Sequence, residues 1–179
     1  SDRARNYVLF KQELLKDPHI LQVTVSSNKP GVTDNNGILI RAAGADKETM
    51  IGIIYVDPDY LKTLKLELAA GWDFSADRAS GTQHALLINE SALGMLGERL
   101  GPDLGVGKAV ELFWRQEDKV IPVDDAQIEG VLRDFNHRPY EPPQPLVFAL
   151  AGTSEWDRQH ALIRIRPDQL AGTVGFIEA

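Results

Sequence analysis

"IEGVLRDFNHRPYEPPQPLVFAL", residues 128–150, is the stretch whose reading decides what kind of protein this is. It sets Arg133, Asp134, His137, Arg138, Tyr140 and Glu141 within a few positions of one another, just ahead of a proline cluster. Asp, His and Arg side by side suit acid–base work or an anion clamp. They equally suit a strand leaving the core and turning a corner. The flanks favour the corner. Ile128, Gly130 and Leu132 fall on one face of a strand, with Val131 on the other. Asp134 and Asn136 offer side-chain oxygens to the backbone, as in Asx turns. Pro139, Pro142, Pro143 and Pro145 keep the segment extended and deny it ladder donors. Nothing in it pairs a base with a nucleophile, so the expected role is architectural. The enzymatic alternative is a hydrolase using His137 with Asp134, which needs an oriented nucleophile inside a cleft.

Upstream, "HALLINESALGML" passes directly from strand to helix, with Asn89 as the cap and Glu90 in the first turn. "GKAVELFW", "KVIPVDD" and "AQIEGVLRDF" read as an antiparallel meander whose first turn is Gln116–Lys119. Downstream, "QPLVFAL" and "HALIRIRP" are strands, and Asp168 is placed to cap a last helix. Near the start, Tyr7, Phe10 and Leu14 form the inward stripe of a helix, widened by Val8 and Leu15 and ended by Asp17-Pro18. "LQVTVS" then alternates as a half-buried strand. "ILIRAAG" and "TMIGIIYV" form a hairpin, and "VDPDYLKTL" starts a helix with Asp57 as cap and Pro58 at its first position. Eight or nine strands and four helices without regular βαβ alternation predict an α+β fold with mixed or antiparallel sheets.

The 179 residues suit one domain or two small lobes, and 43% hydrophobic with 25% charged residues excludes wholesale disorder. A net charge of −7 without a Lys/Arg block argues against nucleic acid or an anionic membrane as the main partner. The absence of cysteine removes disulfides, thiolate nucleophiles and Cys-ligated zinc. No apolar run reaches the ~20 residues of a spanning helix. The chain opens and closes inside helical patterns, so both ends read as cut from something longer.

Other candidate chemistry is thin. "GPDLGVGK" lacks the glycine spacing and the Ser/Thr of a phosphate loop and reads as a turn. His19, His84, His137 and His160 show no metal spacing. Ser91 in "NESAL" lacks a nucleophile elbow. Asp124-Asp125 and Glu117-Asp118 fall in predicted turns. No catalytic, cofactor or metal residue is expected. Trp72, in the turn "AAGWDF", is expected to be exposed and to contact a partner. No long apolar face is expected once the core is assigned.

"IEGVLRDFNHRPYEPPQPLVF" resembles a signature stretch of the MacB-like periplasmic core domain of FtsX-like ABC transporter permeases. "FKQELLKDPHILQVTVSSNKPG", "VDPDYLKTLKLELAAGWDFS", "ALLINESALGMLG", "GVGKAVEL" and "ALIRIRPDQLAGTVGFIE" also match, in the family's order and over nearly the whole chain. The likeness is closest to large permeases of Bacteroidetes-type bacteria. Gly71-Trp72-Asp73-Phe74 stands where the family has Gly-Arg-x-Phe, and "HRPYEPPQP" replaces its usual Ser-Leu. The resemblance implies a non-enzymatic domain looped out on the periplasmic face of the bacterial inner membrane. It also implies a separate ABC ATPase subunit acting through membrane helices, no cofactor, a dimeric parent and a monomeric isolated domain. Two lobes are expected: a membrane-proximal one from residues 1–35 and 146–179, and an inserted one from 36–145. Strands 21–26 and 161–166 should then share a sheet. A small-ligand sensor with a pocket between the lobes is the remaining alternative.

Overall fold

Runs of aliphatic residues between glycines, prolines and polar turns make strand the commonest element of this chain. The computed structural model describes residues 2–30, 37–42, 46–74, 84–100, 105–116, 119–137, 141–151 and 159–178. Its elements are α1 (Asp2–Leu14), β1 (Ile20–Ser26), β2 (Gly37–Ala42), β3 (Thr49–Val56), α2 (Tyr60–Leu64), β4 (Leu68–Gly71), β5 (His84–Asn89), α3 (Glu90–Leu100), β6 (Ala109–Gln116), β7 (Lys119–Leu132), β8 (Leu146–Leu150), β9 (His160–Ile165) and α4 (Leu170–Glu178). The fold is α+β and dominated by one mixed sheet.

Six strands close into a ring. β2 pairs β6, β6 pairs β7, β7 pairs β5, β5 pairs β8, β8 pairs β3, and β3 returns to β2. The β5–β7 and β3–β8 pairs are parallel, the others antiparallel. Alternate residues of every ring strand meet in one cluster: Ile38 and Ile40, Ile51 and Ile53, Leu86 and Ile88, Val110 and Leu112, Ala126 and Ile128, Val147 and Ala149. Ala92 and Leu96 of α3 join them. The intervening residues of β3, β5 and β8 (Ile54, Val56, Leu87, Leu146, Phe148) form a second cluster with Tyr60, Leu61 and Phe74. Those strands are buried on both faces, which is why they read as unbroken apolar runs.

β1 joins the ring through the Ser26–Val56 pairing, and β9 runs antiparallel to β1, as expected for strands 21–26 and 161–166. The expected lobes are therefore joined by hydrogen bonds in one sheet, and β8 lies between β5 and β3. Ile20 and Val23 pack with Leu14, Ile163 and Ile165 in a small third cluster.

Several local expectations are corrected, and three of the corrections trace to strand irregularities. β7 is one 14-residue strand, so Asp124-Asp125 lies in a strand and not in a turn. Leu112 pairs with Asp124 but Phe113 with Pro122, so the missing Pro donor falls at a bulge. A second bulge, at Glu129, separates the Leu86–Ile128 and Leu87–Gly130 pairs. It turns Ile128 and Val131 to the same cluster and Leu132 to the other. In β1 the register slips between Ile20 and Gln22, leaving Leu21 exposed while Thr24, Val25 and Ser26 are all buried. Val8, Phe10 and Leu15 of the expected inward stripe are also exposed, although Leu14 is buried as expected. Asp168 lies in a 3-10 turn, Pro167–Gln169, that has no side-chain cap. Finally, an apolar surface does remain, on Val8, Leu9 and Phe10 of α1 and on Leu170, Val174, Phe176 and Ile177 of α4.

Two glycines let β4 cross β7. Gly71 has φ +76°, and a Cβ there would stand 2.2 Å from the Glu129 carbonyl oxygen. A Cβ on Gly130 would meet the Trp72 carbonyl oxygen at 2.6 Å. Gly71→Ala is expected to destabilise by at least about 2 kcal/mol, through strain at positive φ and the clash. Gly94→Ala in α3 meets nothing within 4 Å and should instead stabilise by roughly 0.5–1 kcal/mol. Urea denaturation of both variants measures the contrast.

Candidate functional site

The quoted stretch ends β7 at Leu132, and Asp134 lands on the first turn of α3. There Asp134 Oδ1 accepts from the Ser91 N–H (2.9 Å) and from Asn89 Nδ2 (2.9 Å). Oδ2 accepts from Ser91 Oγ at 2.6 Å. In return, the Asp134 N–H donates to Glu90 Oε2 at 2.9 Å. A carboxylate here satisfies orphan helix donors and complements the positive end of the helix dipole.

Asn89 is the cap that its sequence position suggests: its Oδ1 accepts from the Ala92 N–H at 3.1 Å. It does more than cap. Oδ1 also accepts from the Leu146 N–H at 2.9 Å, and Nδ2 donates to the Gln144 carbonyl at 2.8 Å. One buried amide thus joins the ends of β5 and β7 to the start of β8.

The neighbouring residues diverge. His137 is buried, its N–H donating to the Phe135 carbonyl (3.0 Å) and its ring edge-on to Phe135. Arg133 is exposed and lies 3.5 Å from Glu67, a contact of little energetic weight at such exposure. Arg138 and Tyr140 lie outside the described residues. Both Asp134 oxygens are committed to the start of α3: Oδ1 holds the Ser91 N–H and the Asn89 amide while Oδ2 holds the Ser91 hydroxyl, so the pair forms a helix-capping contact.

A second polar node was missed in the sequence. Asp57, 5% exposed, follows the last residue of β3. Its Oδ1 accepts from the buried Thr24 hydroxyl and from the Asp59 N–H (3.1 Å). Its Oδ2 accepts from Tyr7 Oη (2.5 Å) and Lys11 Nζ (3.3 Å). Asp57 therefore shapes the turn before α2 and does not cap the helix; Asp59 holds the cap position without a side-chain cap bond. The signal available was Thr24, a polar residue in a strand whose neighbours are all buried.

Burial shifts two groups nearby. The Tyr60 hydroxyl is pushed up to about 12 by burial, against a lowering hydrogen bond with Ser26. The Asp73 carboxyl is raised chiefly by burial, with the Asp59 charge adding to the shift and the Phe74 N–H opposing it.

Trp72 is 55% exposed, as its turn suggests, with its backbone N–H on the Glu129 carbonyl (3.0 Å). Trp114 is also exposed; Trp156 lies outside the described residues. Gly105–Lys108, the described part of the glycine-rich stretch, is a turn that feeds β6: the Gly107 N–H donates to Ile128 O and Lys108 O accepts from the Ile128 N–H. One cleft of about 380 Å³ is lined by Arg41, Glu111, Phe113, Pro122, Val123 and Asp125. Arg41 there is ion-paired to Glu111 at 2.5 Å and stacked on Phe113. Among the described residues, no helix is long and apolar enough to cross a membrane.

No family model and no curated protein matches the sequence. Solved structures do match in fold. The extracellular domain of the noncanonic ABC-type transporter YknZ from Gram-positive bacteria aligns over 92% of this chain and 75% of its own, at TM-score 0.58 and 16% identity. The periplasmic region of MacB from Actinobacillus actinomycetemcomitans aligns over 96% and 72%, at TM-score 0.61 and 13% identity. A domain from a Porphyromonas gingivalis protein assigned as a permease aligns over 94% and 68%, at TM-score 0.56 and 18% identity. The chain has the fold of MacB-like periplasmic core domains.

Three variants test these polar groups. Asp134→Ala is expected to destabilise by about 2 kcal/mol, the loss of a helix cap together with buried partners left unpaired. Asp134→Asn, which keeps an acceptor for the Ser91 N–H, should lose less; thermal denaturation compares them. Asp73 has its folded-state pKa raised, so ionising it opposes folding as pH rises through that value. Asp73→Asn should therefore raise Tm at neutral pH, and the gain should vanish as pH falls below the ordinary carboxylate range.

Proposed function

We propose that this chain is the extracytoplasmic domain of an ABC transporter permease, a non-catalytic element that passes movement between the membrane part and a substrate or partner. The observation that carries the reading is the β1–β9 pair. Ile20 pairs with Ile165, and the Arg166 N–H donates to the His19 carbonyl at 2.9 Å. The chain thus enters β1 and leaves β9 at the same end, as a domain looped out of one bilayer must. Leu14 of α1 packs with Ile20 at that end, and the apolar residues exposed on α1 and α4 suit contact with the membrane-embedded part.

In this reading the domain lies on the periplasmic face of the inner membrane. Residues 1–35 and 146–179 form the membrane-proximal lobe, with β8 as the strand that runs on into the ring, and 36–145 form the inserted lobe. The ATPase is a separate subunit acting through membrane helices, the parent permease is a dimer, and the isolated domain is a monomer. The domain carries no catalytic group or cofactor, a reading supported by the commitment of Asp134 and Ser91 to the corner. Trp72, exposed just after β4, supplies a partner contact.

Trp72→Ala tests this assignment. Its Tm-derived stability should stay within about 0.5 kcal/mol of the parent, as for surface sites, while transport by the whole permease falls. A loss of several kcal/mol would make Trp72 a core residue. Isothermal calorimetry should detect no ATP binding by the isolated chain, and saturable micromolar binding would overturn the non-catalytic reading.

A further inference from the structure

We propose that α1 is a lever latched at Asp57, able to swing about the turn that follows it while the six-stranded ring keeps its shape. Among its described side chains, the apolar anchoring lies at one end. Leu14 is 5% exposed and packs with Ile20, Val23, Ile163 and Ile165, whereas Val8, Leu9 and Phe10 are 51%, 56% and 45% exposed. A helix docked for good turns its apolar residues inward. This one turns Tyr7 and Lys11 inward.

Those two residues converge on one turn. Tyr7 Oη donates to Asp57 Oδ2 at 2.5 Å, and Lys11 Nζ donates to the same oxygen at 3.3 Å and to Asp59 Oδ2. The ammonium also lies 5.7 Å from the centre of the Tyr7 ring. Hydrogen bonds fail steeply with stretch and angle, so a polar latch is either made or broken. An apolar face would yield gradually.

Asp57 is built to survive release. Its Oδ1 keeps the Thr24 hydroxyl and the Asp59 N–H, neither of which belongs to α1. When α1 swings away, the carboxylate retains two donors, and Tyr7 and Lys11 exchange it for water. That asymmetry makes the element two-state, with the ring indifferent to its position. Because Asp57 joins β3 to α2, the latch connects α1 to a corner of the ring. The latch stands on this chain's own geometry; its use in passing movement from the membrane rests on the permease reading.

Hydrogen–deuterium exchange of this chain and of the Tyr7→Phe/Lys11→Met double variant tests the latch. Amides from Val8 to Leu14 should exchange at least roughly tenfold faster in the variant, while those of β3, β5, β7 and β8 stay unchanged. Val8→Ser/Leu9→Ser, on the outward face, should leave α1 exchange near that of the parent. Unchanged exchange in the Tyr7/Lys11 variant would overturn the proposal. So would an equal rise throughout the ring, which would make the contact a general support of the fold. Lys11→Met in the whole permease separates the two readings: unaltered transport would remove the latch from the transport cycle and leave it standing as a property of the domain.

Discussion

One buried amide holds the architecture together. Asn89 has two acceptor and two donor positions, and each is used: Ala92 and Leu146 N–H on Oδ1, Asp134 and Gln144 oxygens on Nδ2. β5 and β7 are parallel neighbours, so no hairpin can set their register. The β5–β8 pair must also be brought together across more than fifty residues of chain. A fully satisfied polar joint fixes all three strand ends and the start of α3 in one arrangement. A misaligned alternative would leave a buried amide unpaired. The apolar ring supplies most of the burial, and the joint specifies which ring forms.

The corner after β7 follows from this constraint. A chain that must place an acid on the α3 N-terminus and then return as β8 needs an extended, donor-poor path. Pro142, Pro143 and Pro145, just before β8, deny that path backbone donors. Residues that look catalytic in a row separate into a helix-binding acid, an exposed Arg and a buried His set edge-on to Phe135. The same economy appears at Asp57, where one carboxylate shapes a turn, buries the Thr24 hydroxyl and receives a helix.

Much of this was legible in the sequence because it is local. Asn89 and Glu90 between an apolar run and a helical pattern announce a cap, and "AAGW" announces a turn that leaves Trp72 in solvent. The α+β class follows from strand spacing alone. What failed was non-local. Ring closure depends on the pairing of β2 with both β3 and β6, which no period in the sequence encodes. The length of β7 was hidden by Pro122 and Asp124-Asp125, which read as a break and are accommodated by a bulge. A one-residue bulge at Glu129 likewise exchanges the faces of Val131 and Leu132. On α1 the spacing marks Tyr7 and Leu14 as inward, which they are, but Val8, Phe10 and Leu15 face solvent and Lys11 is inward, because hydrophobicity does not mark a side held by the Asp57 carboxylate.

If the domain passes movement, the two terminal helices must be the moving parts and the ring the rigid one. The chain has no cysteine, so spin labels at Leu9→Cys and Leu170→Cys, both exposed, can report the helix pair within the intact permease and its ATPase, in a cysteine-free background. Pulsed electron resonance should show their separation changing between nucleotide-free and ATP-trapped states. A pair at Met50→Cys and Trp114→Cys, across the ring strands, should keep a single distance in both. Invariant separation of the helices across nucleotide states, or a change confined to the ring, would contradict the account.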